Sequence, residues 1–473
     1  MNRVKRSNSH SKWTILFVVV LMSFLSCVSS SIVNIALPKM AKQLSISMAE
    51  VTWIVSSYIM VICASLLIFG KLGDIKGKAK IFKIGTLIFT LASLMCGFSN
   101  SLTMLIIFRI IQGIGAGAYM ANNQGIITQI FPVEERGKAL GILASAVALG
   151  TMLGAPVGGL IINSFSWNYL FFVNVPIGII AFAAGLRVLP KGKKDCKKLD
   201  IKGGVLYFIA SLLLFGALNA AQNFGFGNVI LMVSLVISIF LFIIFGILEI
   251  KTENPLLELK IFKNNIFSLS LFCALVSFAC IQASTIIIPF YLQDTLKMSA
   301  SIAGIFLMLQ PIIIAVISPV AGNLADKIGS EILTFLGLVL MACGFLFMSF
   351  LNESSSLIIV VFYMVIIALG QGLFQPANNS LIMSSAPRNK LGVVGSINSL
   401  VRNIGQIIGI ILSGTILYDF MSLKLGHRVT DYVFGRDDVF VYGMKYVYIV
   451  LVYMCFISMF FTGFRMYRKK HCM

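Results

Sequence analysis

Apolar runs of about twenty residues recur from one end of this chain to the other, and about twenty residues is the length of helix that crosses the hydrocarbon core of a bilayer. Fourteen runs can be marked, at residues 13–38, 50–70, 81–98, 102–124, 138–163, 168–189, 203–221, 228–249, 265–290, 300–321, 331–351, 356–380, 392–418 and 446–464. In lipid the backbone N–H and C=O groups find no water, so each spanning segment must satisfy them internally and is read as a helix. Composition agrees. Only 11% of the residues are charged, against roughly 25% in a soluble domain. So few charges cannot cover a water-facing surface, and an all-α polytopic membrane protein is expected.

The net charge of +20 could suggest a nucleic-acid partner, but its placement argues against one. Lys and Arg gather in the short segments between apolar runs, without the interleaved aromatics that single-stranded nucleic acid requires. With the N-terminus taken as cytoplasmic, 28 of the 37 basic residues fall in inside segments and seven outside, while Arg109 and Arg402 lie within spans. The positive-inside rule then places both termini in the cytoplasm. The basic flank of Arg3, Lys5, Arg6 and Lys12 leads into a run that continues through Pro38, so the first run reads as a span and not a cleaved signal. Most of the nine cysteines sit inside apolar runs, as small core residues do. A multi-pass protein of a cell membrane is implied, and the Lys- and Ile-rich usage has a bacterial cast, pointing to the cytoplasmic membrane.

An internal repeat organises the chain. Gly70-Lys71-Leu72-Gly73-Asp74-Ile75-Lys76-Gly77 follows span 2, and Gly322-Asn323-Leu324-Ala325-Asp326-Lys327-Ile328-Gly329 follows span 10. Ala121-Asn122-Asn123 in span 4 has an echo in Ala377-Asn378-Asn379 of span 12. Two six-helix bundles are expected, residues 1–190 and 265–473, joined by a linker with two inserted helices at 191–264. Parallel repeats around a midplane site are a common transporter plan.

Several side chains are candidates for function. In the turn motif, Gly70 and Gly77 allow a tight turn, Asp74 can cap the next helix or pair with a nearby cation, Lys78 follows at the lipid headgroup level, and Asp326 stands in the second copy. The motif reads as a latch that forms in one access state and breaks in the other, or as a well-capped, anchored loop. Arg109, with Gln112, lies deep in span 4, and an ionisable residue at membrane depth costs at least ~2.5 kcal/mol unless it faces a cavity or a partner. In span 13, Asn398, Arg402 and Gln406 share one helix face, which points to a lined cavity. Asn34, Asn122, Asn123, Gln282, Gln310, Gln375, Asn378 and Asn379 are candidates for the same lining. Span 5 carries Gly150, Gly154, Pro156, Gly158 and Gly159, where small residues let helices approach closely.

Acids are absent from the middle of the spans. All 17 Asp and Glu residues, Glu50 among them, lie in loops or near helix ends, and the three histidines lie outside the spans. No metal site or catalytic set is formed, which excludes the ordinary enzyme classes.

These motifs together resemble the major facilitator superfamily, specifically its fourteen-span drug/proton antiporter family, over nearly the whole length. Ser31-Ile32-Val33-Asn34-Ile35-Ala36-Leu37-Pro38 is similar to that family's T-[I/V]-V-N-[V/I]-A-L-P. Gly70 to Gly77 looks like motif A, Arg109 to Gly115 matches the R-x-x-Q-G-x-G of motif B, and the span 5 glycines resemble motif C. Trp167 to Gly178 and Pro255 to Lys260 look like further family segments. The resemblance implies a major facilitator fold that alternates between inward- and outward-facing states. It would expel amphipathic small molecules, driven by the proton gradient, as a monomer among membrane lipids and without a cofactor. Arg109 would then modulate protonation, Asp74 would stabilise the outward state, and span 5 would seal the two halves. Two departures stand out. An Asp that often serves as proton and cation site in span 1 aligns with Ser29 here, in Ser29-Ser30-Ser31, and the usual G-P-x-x-G-G of motif C reads Gly154-Ala155-Pro156-Val157-Gly158-Gly159. With Ser29 in that place, Glu50, Asp74 and Arg109 are the candidates for proton coupling, with Asp326. An exporter or flippase of a lipid or other endogenous amphipath, or an uncoupled facilitator, is the alternative on the same scaffold. The polar stretch from Asp419 to Lys445 is a lid or a disordered connector.

Overall fold

The computed structural model describes residues 9–190, 200–224, 228–252, 255–257, 259–385 and 391–471. Among these, regular structure is helical throughout. The first six long helices are α1 (Ser9–Leu44), α2 (Trp53–Lys76), α3 (Lys78–Gly97), α4 (Leu102–Ile130), α5 (Val133–Ser164) and α6 (Asn174–Val188). A pair follows, α7 (Ile201–Phe224) and α8 (Val229–Lys251). The last six are α9 (Asn265–Phe290), α10 (Leu309–Ile328), α11 (Ser330–Met348), α12 (Leu357–Ser384), α13 (Leu391–Leu425) and α14 (Asp437–His471). One-turn helices Met48–Val51 and Tyr169–Phe172 lead into α2 and α6, and Ala300–Leu307 leads into α10. Thirteen segments of the described residues are long and apolar enough to cross a membrane. In α5, a helix of 32 residues, the shorter apolar stretch is Leu149–Ser164.

The outward faces show which solvent the fold is built for. On α8, Val229, Ile230, Val236 and Phe240 are each more than 60% exposed. In water such a stripe would be an aggregation site; against acyl chains it is an ordinary surface. Within α1–α6, α1 lies along α5, and α4 packs against α2 and α3; within α9–α14, α9 lies along α13, and α12 packs against α10 and α11. The two sets meet through α5 with α10, α2 with α13, and α1 with α9, while α7 lies against both α2 and α13.

The repeat in sequence is also a repeat in geometry. Gly77 ends α2 at φ 97°, and Gly329 ends α10 at φ 95°. A side chain in that region costs about 1–2 kcal/mol, so glycine is required at both turns. At the α3–α4 crossing, a Cβ on Gly85 would lie 2.7 Å from the Gly115 carbonyl oxygen; at the α11–α12 crossing, one on Gly337 would lie 2.7 Å from that of Gly370.

Two expectations change. Hydropathy ends span 13 near 418 and begins span 14 near 446, but helical hydrogen bonding continues into the polar flanks, to Leu425 and from Asp437. The connector is therefore only 426–436, and it is held in place. Ser422 Oγ donates to the Val429 carbonyl oxygen at 3.3 Å, the Val429 N–H donates back at 2.8 Å, and Tyr432 is 6% exposed.

Gly85→Leu and Gly337→Leu are each expected to lower the thermal stability of the purified protein in detergent, because overpacking costs about 1–3 kcal/mol. Gly216→Leu in α7, where an added Cβ meets nothing within 4 Å, is expected to leave the melting temperature unchanged.

Candidate functional site

The two sets of helices close on each other at the end of the bundle that holds Lys42. The small residues of α5 permit it. Gly150, Gly154 and Gly158 lie against Phe24, Ser31 and Ile32 of α1, each too close for a Cβ. Gly159, on another face, would place a Cβ 2.6 Å from the Ala300 carbonyl oxygen, and Gly304 would place one 2.7 Å from that of Ala155, beside Pro156. Ser301 Oγ donates to the Gly159 carbonyl at 3.1 Å. Lys42 Nζ lies 2.6 Å from Asp294 Oδ1, and Gln293 Nε2 donates to the Ile35 carbonyl at 3.1 Å. Asp294, expected in a loop, sits in a π-helical turn (Tyr291–Thr295) that extends α9, and is 5% exposed. Glu50 is held in a capping box, its carboxylate accepting the Ser47 N–H at 2.8 Å.

Further along the bundle, amides and one cation lie between the halves. Arg402 of α13 is half-buried and within electrostatic range of the thiols of Cys27 in α1 and Cys63 in α2, so it faces the opposite half. It has no hydrogen-bond or ion-pair partner among the described residues. One turn away, Asn398 donates to Asn379 Oδ1 at 3.0 Å. Gln375 and Gln406 are half-buried, and Gln310 donates to Gln371 Oε1 at 2.8 Å. Asn34 Oδ1, Gln282 Nε2 and Asn398 Oδ1 are buried without partners. Such atoms cost about 1–3 kcal/mol each and favour a polar guest. Ser29 is fully buried and accepts a hydrogen bond from Asn174 Nδ2 at 3.3 Å.

Other candidates stand apart from this lining. Arg109 is fully buried among residues of α1–α6: its Nε donates to the Ile54 carbonyl at 2.9 Å and a terminal nitrogen to Gln112 Oε1 at 2.7 Å. Its guanidinium lies 4.1 Å from the centre of the Tyr58 ring, a cation–π contact. Gln112 in turn donates to Ser93 Oγ at 2.7 Å. Asn122 donates to the Phe69 carbonyl at 3.2 Å and Asn378 to that of Ser270 at 3.0 Å, so these repeat-related amides bind neighbouring helix backbones. Asn123 donates to Ser23 Oγ at 2.6 Å.

At the opposite, lysine-rich end, Asp74 pairs with Lys78 of its own motif, whose stem crosses α4 at Gly125. A Cβ on Gly73 would overlap Asn122, and Gly70 approaches Ala121, so the motif is seated on α4. The Asp326 side chain lies outside the described residues. Lys71 donates to the Pro255 carbonyl at 3.1 Å, and the carboxylate of Glu249 accepts the N–H groups of Leu256 and Leu257 at 3.2 and 3.1 Å. The Pro255-Leu256-Leu257 segment thus ties the α7–α8 pair to motif A. Glu249, 3% exposed, went unremarked in the sequence as one more acid at a helix end. A third buried arginine, Arg465, donates to Ser270 Oγ at 2.9 Å and Thr334 Oγ1 at 3.1 Å. It falls one residue past the expected end of span 14, where it counts as a loop charge.

The sequence profile of the Major Facilitator Superfamily matches residues 19–410, and the chain belongs to that superfamily. It is a multi-pass membrane transporter and not an enzyme. It is 32% identical to the riboflavin transporter RibZ of Clostridioides difficile, over 96% of this chain and 98% of that one. It is 30% identical to the multidrug transporter protein MdtP of Bacillus subtilis, over 91% and 79%. Among solved structures, an inward-facing, unoccupied bacterial homolog of the human lysosomal transporter Spinster matches with TM-score 0.67 at 17% identity, covering 96% and 97%; the likeness is one of fold.

Arg109→Lys is expected to destabilise the protein by about 2–3 kcal/mol, since an ammonium cannot bond Ile54 and Gln112 while lying flat on Tyr58. Thermal unfolding of the purified variant checks this.

Proposed function

We propose that the chain is a secondary active exporter of small amphipathic molecules, working by alternating access and proton antiport. Its lining selects neutral, zwitterionic or anionic substrates over dications. The carrying observation is Arg402, half-buried and, among the described residues, unpaired beside buried amides without partners. Among the described residues, the buried carboxylates Glu249 and Asp294 lie at helix ends, far from the middle of their spans. In a low-dielectric cavity the field of one guanidinium attracts an anion by several kcal/mol and repels a dication.

The distribution of Lys and Arg supports an orientation with both termini cytoplasmic, which makes the closed Lys42 end the outer face. The packing supports fourteen spans as two six-helix bundles, 1–190 and 265–473, with the inserted pair in 191–264. Asp74, engaged with Lys78, is the motif A switch released while the outer end is closed. The cytoplasmic membrane of a bacterium is the expected location, with lipid around a monomer and no cofactor. Relatives named as a multidrug transporter and a multidrug resistance protein support the export reading. The relative named for riboflavin supports a second, narrower reading: the cargo is riboflavin or a similar uncharged heterocycle. A lipid-like amphipath, or uncoupled movement, remains the alternative to be tested alongside.

Transport in inverted vesicles separates these readings. Riboflavin and an anionic dye are expected to accumulate when the lumen is acidified, and an uncoupler is expected to abolish this. Arg402→Gln is expected to reduce anion transport at least about tenfold. A divalent cationic biocide is expected to move only in Ser29→Asp. Strong dication efflux by the unmodified protein would refute the charge argument, and accumulation indifferent to the uncoupler would refute antiport.

A further inference from the structure

The connector 426–436 crosses the closed outer seam. The N–H of Met48, at the start of the one-turn helix between α1 and α2, donates to Asp431 Oδ1 at 3.2 Å, and the Ala49 N–H donates to the Thr430 carbonyl at 3.3 Å. Donors from one bundle thus meet acceptors from the other, with Met48 and Ala49 3% and 1% exposed. The same contact gathers like charges. Glu50 comes from the first bundle and Asp294 from the second, and both bear electrostatically on Asp431, itself of the second. Tyr418 of α13 faces it as well, and Tyr432 donates its N–H to it at 2.8 Å.

The nearby cations are engaged elsewhere: Lys42 on Asp294 at 2.6 Å, and Lys297 on Asp437 at 3.5 Å. Asp437 of α14 also accepts the Tyr432 hydroxyl. Asp431 and Glu50 therefore have no ion-pair partner among the described residues. In a state with the seam open, these carboxylates would separate into water. When it closes, they are brought together and partly dehydrated.

We propose that closing the outer seam is linked to protonation of Asp431, so that this strap is an outer gate whose closure responds to pH. The proposal rests on the orientation proposed above, which makes this seam the outer face, and not on the antiport reading. A proton gained there on closing returns to the same side on opening, so the strap acts on the gate and is separate from any coupling site. Burial, foremost, and the charges of Asp294 and Glu50 push the Asp431 carboxyl up from its ordinary value of 3.8, against the two N–H donations that pull it down. The carboxyl is thus raised in the closed state relative to the open state. Protonation then gives no help to closure above the raised value. Its help grows as pH falls from there toward 3.8, and is complete below.

Hydrogen–deuterium exchange of the whole purified protein tests this at the amides of Met48 and Ala49, after correction for the intrinsic pH dependence of exchange. In the wild type, protection is expected to rise as pH falls, by up to about tenfold per unit of pH across that window. Asp431→Asn keeps an acceptor without the charge, and is expected to be protected at every pH with no response. Asp431→Ala is expected to be poorly protected and equally unresponsive. A wild type with flat protection, or an Asp431→Asn variant that keeps the wild-type pH response, would overturn the proposal. A pH response that Asp431→Asn removes supports the strap whatever an uncoupler does in vesicles, because the vesicle result bears on the antiport reading alone.

Discussion

Close approach of helix backbones at glycine is the interaction on which the rest of this structure depends. In lipid there is no hydrophobic force to drive helix against helix, so association rests on van der Waals contact and interhelical hydrogen bonds. Gly85 against Gly115 and Gly337 against Gly370 make the same crossing in each bundle. Gly150, Gly154 and Gly158 fit α5 to α1, and Gly159 presents its backbone to Ala300 and Ser301 of the other bundle. The first contacts hold a bundle together, while the last can be made and broken. A contact made of glycine and carbonyl groups has no long side chains to disentangle, which suits a joint that must open.

Around that joint the charges are segregated by depth. Arg109 and Arg402 lie within the spans and Arg465 just past the expected end of one, while the buried carboxylates Glu249 and Asp294 lie at helix ends. Arg109 and Arg465 are consumed by their bundles, each bonded to groups from neighbouring helices. Arg402 alone of the three faces the opposite bundle without a partner among the described residues. On the function proposed above, this division gives the space between the bundles a positive character, while the seam gathers Glu50, Asp294 and Asp431. On the proposals above, substrate selection and the pH response of the gate fall to different places, joined by the bundles that carry both.

Most of the fold was legible because a bilayer imposes one length and one hydrogen-bonding rule. Spans, repeat and small-residue positions all follow from those. What sequence could not give is azimuth and partner. Arg109 was recognisable as deep, but that it lies on Tyr58 and bonds Ile54 depends on α2, some fifty residues away. Arg465 looked like a loop charge because apolar character ends at 464, whereas its partners Ser270 and Thr334 come from α9 and α11. Asp431 lay in a polar stretch with no pattern to mark it, and its meaning comes only from Met48, 383 residues earlier in the chain.

The claim that the space between the bundles carries positive and no fixed negative charge is tested most directly by two ligands of one shape and opposite sign. Tetraphenylborate and tetraphenylphosphonium differ in little but charge, and their binding to the purified protein can be measured by calorimetry. The anion should bind at least about tenfold more tightly, with Arg402→Gln removing the difference. Tighter binding of the phosphonium to the unmodified protein would contradict the account.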